Sequence, residues 1–171
     1  RDLVRSRGLG DVYKRQVQAD AEHVYRAEVA RLFDTELEDI AGANELLASI
    51  NVPMCVVSNG PVSKMQHSLG KLNMLHYFPE KLFSGYDIQR WKPDPALMFH
   101  AAKAMNVNVE NCILVDDSSA GAQSGIDAGM EVFYFCADPH NKPIVHPKVT
   151  TFTELAQLPA LWKARGWKIT R

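Results

Sequence analysis

The sequence predicts an α/β fold: a doubly wound parallel sheet covered by helices on both faces. Three observations carry this. Short runs that are apolar on both sides recur along the chain, and such runs are what strands buried in a parallel sheet look like. Stretches with helical periodicity separate them. One of the runs, Cys112–Val115, leads directly into the adjacent carboxylates Asp116 and Asp117 and then into an Ala- and Gly-rich helical stretch. In open α/β sheets the rim outside the carboxyl ends of the strands is where ligands bind.

From Asp20 onward the elements follow in order. Tyr25, Val29, Leu32 and Phe33 share one face of an amphipathic helix. A short helix is predicted over Ala43–Ile50, with Gly42 before it and Leu46, Leu47 and Ile50 facing inward. Val52–Val57 reads as a strand because of its β-branched, apolar content. It ends at Ser58-Asn59-Gly60-Pro61, and Val62–Leu75 reads as the next helix. Leu82–Gly85 is a short strand. Asp94–Met105 is a helix with Asp94 placed to cap it and Pro95 in its first turn. Glu131–Phe135 is a further buried strand. Ala137–Lys148, rich in Pro and His, is a loop, and Thr153–Arg165 is a closing helix. Trp162 and Trp167 lie among Lys163, Arg165 and Lys168, the pattern of a tail laying its aromatics on the core.

Composition narrows the function. The 171 residues are 46% apolar and 23% charged, ordinary for a globular domain with a real core. A formal net charge of −1 gives no reason to expect nucleic acid or a membrane surface as partner. Cys55, Cys112 and Cys136 all sit in apolar runs without CxxC spacing, which points to reduced core thiols and a cytoplasmic protein. The six histidines show no metal-ligand spacing.

Three loops carry chemistry. Ser58-Asn59-Gly60 offers a hydroxyl and backbone N–H groups at a helix start, a cradle for a phosphate oxygen; a plain turn would use the same residues. In Arg90-Trp91-Lys92-Pro93-Asp94-Pro95, Pro93 holds Lys92 out of the helical region, which aims its ammonium as a point charge at something anionic; the alternative is a solvated lysine in a proline-rich loop. Asp116 and Asp117 repel one another unless a cation sits between them, and a hard divalent ion with oxygen ligands resolves this. The alternative is that one Asp caps the helix and the other is solvated.

Together these segments resemble the haloacid dehalogenase-like hydrolases, in the subgroup with a small helical cap that includes β-phosphoglucomutase. The resemblance implies a Rossmann-like core and assigns phosphate binding to Ser58, Asn59, Gly60 and Lys92. It implies Mg²⁺ on Asp116 and Asp117, with Asp117 the direct ligand and Asp116 supporting it. It gives Lys92 a catalytic role in stabilising nucleophile and phosphate, and implies hydrolysis of a phosphorylated sugar or sugar acid through an aspartyl-phosphate. A response-regulator receiver domain uses similar residues in the opposite chain order. True haloacid dehalogenases share the Ser-Asn-Gly loop but need no metal. A phosphoglucomutase-type phosphotransferase, or a non-catalytic Mg²⁺- and phosphate-binding protein, are the alternatives.

One departure matters. The family's nucleophile is the first aspartate of an Asp-x-Asp motif ending the first strand, and the chain contains no such motif. Asp34-Thr35-Glu36 follows a helical pattern rather than an apolar strand. Residues 1–16, Arg1 to Gln16, are punctuated by basic residues without sustained periodicity and look like adapter sequence, the alternative being a genuine basic N-terminal arm. The resemblance implies that 17–40 are a remnant of the helical cap and that 41–171 are a core without its first, central strand. Val52–Val57 and Cys112–Val115 would then either pair with each other or stand about two strand spacings, ~10 Å, apart. Unpaired strand edges there would lower stability. The chain is expected to be inactive as it stands.

Overall fold

The computed structural model describes Ala21, Val24, Glu28, Arg31 and residues 36–171. The expectations for residues 1–16, for the helical face of Tyr25, Val29, Leu32 and Phe33, and for Asp34-Thr35 lie outside the described residues. The chain divides into two compact units, 1–38 and 39–171. In the first, Ala21, Val24, Glu28, Arg31 and Glu36 are helical. Arg31 and Glu28, one turn apart, form an exposed ion pair at 2.7 Å.

In the second unit, α1 (Ala43–Ser49) precedes β1 (Val56–Ser58), α2 (Val62–Lys71), β2 (Leu82–Ser84), α3 (Gly85–Ile88) and α4 (Ala96–Ala104). Then come β3 (Ile113–Asp116), α5 (Ser119–Asp127), β4 (Glu131–Phe135), β5 (Val149–Phe152) and α6 (Leu158–Ala164). Every strand pairing is parallel. The order is β1-β2 in one sheet and β3-β4-β5 in the other. Strands β1 and β3 do not pair with each other, so among the described residues each is the edge of its own sheet.

The α/β class follows from β4. Val132 and Tyr134 join a core cluster with Met98, Leu114, Ala122, Ala128 and Met130. Phe133, pointing the other way, joins Phe152, Leu158 and Trp162 in a second cluster. Side chains alternate across a strand, so this sheet is buried on both faces, as its uninterrupted apolar run predicts. The C-terminal tail lies as expected. Trp162 is buried, and Trp162 and Trp167 each meet the Phe133 ring edge-on at 6.1 Å.

Several boundaries differ from the sequence reading. The first strand begins at Val56 rather than Val52, because Pro53 has no N–H to give to a ladder. Helix α2 stops at Lys71, and Leu75–Tyr77 is a separate 3₁₀ turn. The closing helix is split in the same way, Leu155–Gln157 being 3₁₀ and Leu158–Ala164 α-helical. Strand β5 and the single turn α3 have no counterpart in the sequence reading. The helix expected from Asp94 starts at Ala96, with Pro95 in the N-cap position. Asp94 sits just outside it, its Oδ1 accepting the Ala96 N–H at 2.8 Å and its Oδ2 pairing with Arg90 at 3.1 Å. The three cysteines are free thiols.

Candidate active site

With all pairings parallel, the carboxyl ends of β1, β2 and β3 deliver Ser58, Ser84 and Asp116 to one rim of their sheets. The link between the two sheets there is Lys92. Its Nζ donates to Asp116 Oδ2 at 2.7 Å and to the Val57 carbonyl at 3.5 Å. Both members of the ion pair are deeply set, with side chains 11% and 9% exposed. Burying such a pair costs desolvation that its attraction must offset, but removing either partner leaves an uncompensated charge.

The opposite side of the Asp116 carboxylate is equally occupied. Its Oδ1 accepts from the Ser118 N–H at 2.9 Å and from the Ser118 hydroxyl at 2.7 Å. Ser118 in turn caps α5, its Oγ accepting the Gly121 N–H at 2.9 Å. The helix approaches so closely that a Cβ at Gly121 would land on the Asp116 carboxyl group. One turn later, a Cβ at Gly125 would stand 2.7 Å from Leu114 and 2.8 Å from Val132. The small face of this helix thus sets the depth at which the acidic pair sits.

Asp117 behaves differently. It is exposed, and its carboxylate has no hydrogen bond or ion pair among the described residues, while the Asn141 amide lies 3.5 Å from its carbonyl. Tyr134 stands beside Asp116 in the strand register. Burial, and to a smaller extent Cys136 and the charges of Asp117 and Asp116, push its phenol above the ordinary range.

At the end of β1, the Ser58 Oγ accepts the Gly60 N–H at 3.0 Å. The sequence reading expected that amide to be open to a ligand; the local turn uses it instead, leaving the Ser58 hydroxyl proton as the donor. The Gly60 carbonyl accepts from Ser84 Oγ at 2.8 Å, and Ser84 Oγ in turn accepts the Tyr86 N–H at 3.1 Å. Ser84 is fully buried. It ties β2 to the Ser58 loop, and no sequence signal marks it beyond a serine before a glycine. Asn59 lies exposed above the loop with its carboxamide turned to Lys92.

The structure therefore assembles Ser58, Asn59, Gly60, Lys92 and Asp116 through a chain of hydrogen bonds, with Asp117 next to them in sequence and open to solvent. Chemically this is a cation and a hydroxyl donor beside a pair of acids, one held and one free. Among the described residues no cluster of three or more His, Cys, Asp or Glu side chains forms a ready-made metal cage.

An α/β core with a lysine paired to the first of two adjacent acids at its strand rim defines a class that the comparisons identify. The family model described as haloacid dehalogenase-like hydrolase matches residues 3–129, and the chain belongs to that family. It is 86% identical over 153 residues to the 6-phosphogluconate phosphatase of Escherichia coli K12, an alignment covering 90% of this chain and 69% of that protein. It is 31% identical over 106 residues to hexitol phosphatase A of the same organism, covering 57% of this chain and 47% of the relative. Among solved structures, a haloacid dehalogenase-like protein of unknown function from Agrobacterium tumefaciens C58 superposes with a TM-score of 0.69 at 25% identity, covering 89% of this chain and 76% of that one.

Proposed function

We propose that these residues are the phosphate-holding half of a Mg²⁺-dependent phosphomonoester hydrolase site of the 6-phosphogluconate phosphatase type, and that the chain as it stands binds phosphate without turning it over. The observation that supports this reading above others is the 2.7 Å bridge from Lys92 to Asp116, which places a fixed cation at the strand rim beside the Ser58 loop. Residues 41–171 are the catalytic core in this reading and 17–40 a remnant of the cap.

The residues fit magnesium. Mg²⁺ keeps several waters and is commonly held by one or two carboxylates together with substrate phosphate, rather than by an all-protein cage. Asp117, exposed and uncommitted, would be the direct ligand, and Asp116, held by Lys92 and Ser118, would support it. When bound, the ion would neutralise charge on a phosphoryl group. Lys92 Nζ and the Ser58 hydroxyl would hold the remaining phosphoryl oxygens, the first by charge and the second by a hydrogen bond. A carboxylate nucleophile is what this half-site lacks, since no Asp-x-Asp motif stands in the 171 residues.

The test is direct. With 6-phosphogluconate and Mg²⁺, the purified chain is expected to release no phosphate above background. Mg²⁺ with inorganic phosphate is expected to raise its melting temperature, ligand at 100 times its Kd adding about 2.7 kcal/mol. Phosphate release that disappears in Asp117→Ala would refute the inactive reading, and no thermal response to Mg²⁺ and phosphate would refute the binding one.

A further inference from the structure

We propose that Asn59 is a positioning residue: its carboxamide acts on the anion site through the backbone of Lys92. The Asn59 carboxamide grips both backbone polar groups of Lys92. Its Nδ2 donates to the Lys92 carbonyl at 3.0 Å, and its Oδ1 accepts the Lys92 N–H at 2.7 Å. A carboxamide has one acceptor oxygen and one donor nitrogen side by side, and here each meets its complement across 33 residues of chain.

The grip bears on where the ammonium goes. The neighbouring backbone bonds of this loop skip Lys92: the Arg90 N–H reaches the Gly85 carbonyl at 3.1 Å and the Asp94 N–H the Trp91 carbonyl at 2.9 Å. Pro93, next in the chain, has no N–H. Among the described residues, Asn59 supplies the hydrogen bonds of residue 92's own N–H and C=O, adding to the turn that the Asp94 N–H closes across Lys92 and Pro93. The side chain above that backbone is long and rotamer-rich, with a large entropy to lose. Its Nζ nevertheless rests 2.7 Å from Asp116, which a loosely held Cα would not sustain. The same two bonds occupy the carboxamide that the sequence reading assigned to phosphate.

This inference rests on the reading of Lys92 as an anion-binding cation, and two measurements separate the two claims. The first needs no ligand: the ammonium resonance of Lys92 in the whole 171-residue chain, followed by lysine side-chain NMR. It is expected to be distinct in the parent protein, lost to fast exchange in Asn59→Ala at an unchanged fold, and weakened in Asn59→Asp, which keeps the acceptor but loses the donor. The second is the affinity for inorganic phosphate with Mg²⁺ in Asn59→Ala, Lys92→Met and the double variant. Asn59→Ala is expected to weaken binding roughly tenfold, equivalent to about 1.4 kcal/mol, and the double variant to bind no more weakly than Lys92→Met alone. An unchanged ammonium signal, or additive losses in the double variant, would overturn the proposal. If the parent chain binds no phosphate, the functional reading fails while the ammonium signal still decides the role of Asn59.

Discussion

Replacing Gly121 by alanine sets two physical effects against each other. Helix propensity favours alanine over glycine by at most about 1 kcal/mol at this first-turn position of α5. Against this, the added methyl would occupy the position of the Asp116 carboxyl group. Asp116 would have to swing away from Lys92 Nζ at 2.7 Å, the Ser118 N–H at 2.9 Å and the Ser118 hydroxyl at 2.7 Å. Hydrogen bonds to a charged group contribute about 1.5–3 kcal/mol each. Partial loss of three outweighs the propensity gain, leaving a net destabilisation on the order of 2–4 kcal/mol. The control is Gly70→Ala near the end of α2, where a Cβ meets nothing within 4 Å and alanine should be stabilising by roughly 0.5–1 kcal/mol. Urea denaturation of both variants, with midpoints compared at equal m-value, reads the difference. Gly121→Ala matching or exceeding the parent's stability would show that the close approach of α5 to Asp116 is not what holds the acidic pair in place.

Two further outcomes follow from the geometry. Ser84→Ala removes a buried hydroxyl that donates to the Gly60 carbonyl and accepts the Tyr86 N–H, so it should cost about 1–3 kcal/mol in denaturant unfolding. It should also weaken phosphate binding, because the Ser58 loop loses its anchor to β2. Burial, with Cys112 nearby, pushes the Cys55 thiol from an ordinary 9.0 up to about 11. At pH 8 its alkylation by iodoacetamide should run roughly a hundredfold slower than that of an unfolded-chain cysteine, in proportion to the thiolate present. The neutral thiol is the form the fold favours. The stability it contributes is therefore complete below pH 9 and lost as pH rises towards 11, and Cys55→Ala should flatten that alkaline decline.

The uninterrupted apolar run that made Val132, Phe133 and Tyr134 readable as a doubly buried strand is local chemistry. So are the placement of Asp94 just ahead of a helix, the acids at the end of an apolar run, and the lysine held extended by Pro93. Each depends on residues within one turn or one strand, and the chain itself determined them. What tertiary structure decided involves partners far apart in sequence. Asn59 and Ser58 are adjacent and look alike as polar loop residues, yet one grips the backbone of a residue 33 positions on and the other closes its own turn. Asp116 and Asp117 are identical side chains, and only the placement of Lys92 and the close approach of α5 make one held and the other free. Ser84 carried no signal because its meaning lies in the Gly60 carbonyl across the strand pair. Periodicity records which face of an element is buried; it does not record which polar atoms end up within 3 Å of each other, because that distance is set by how separate elements pack.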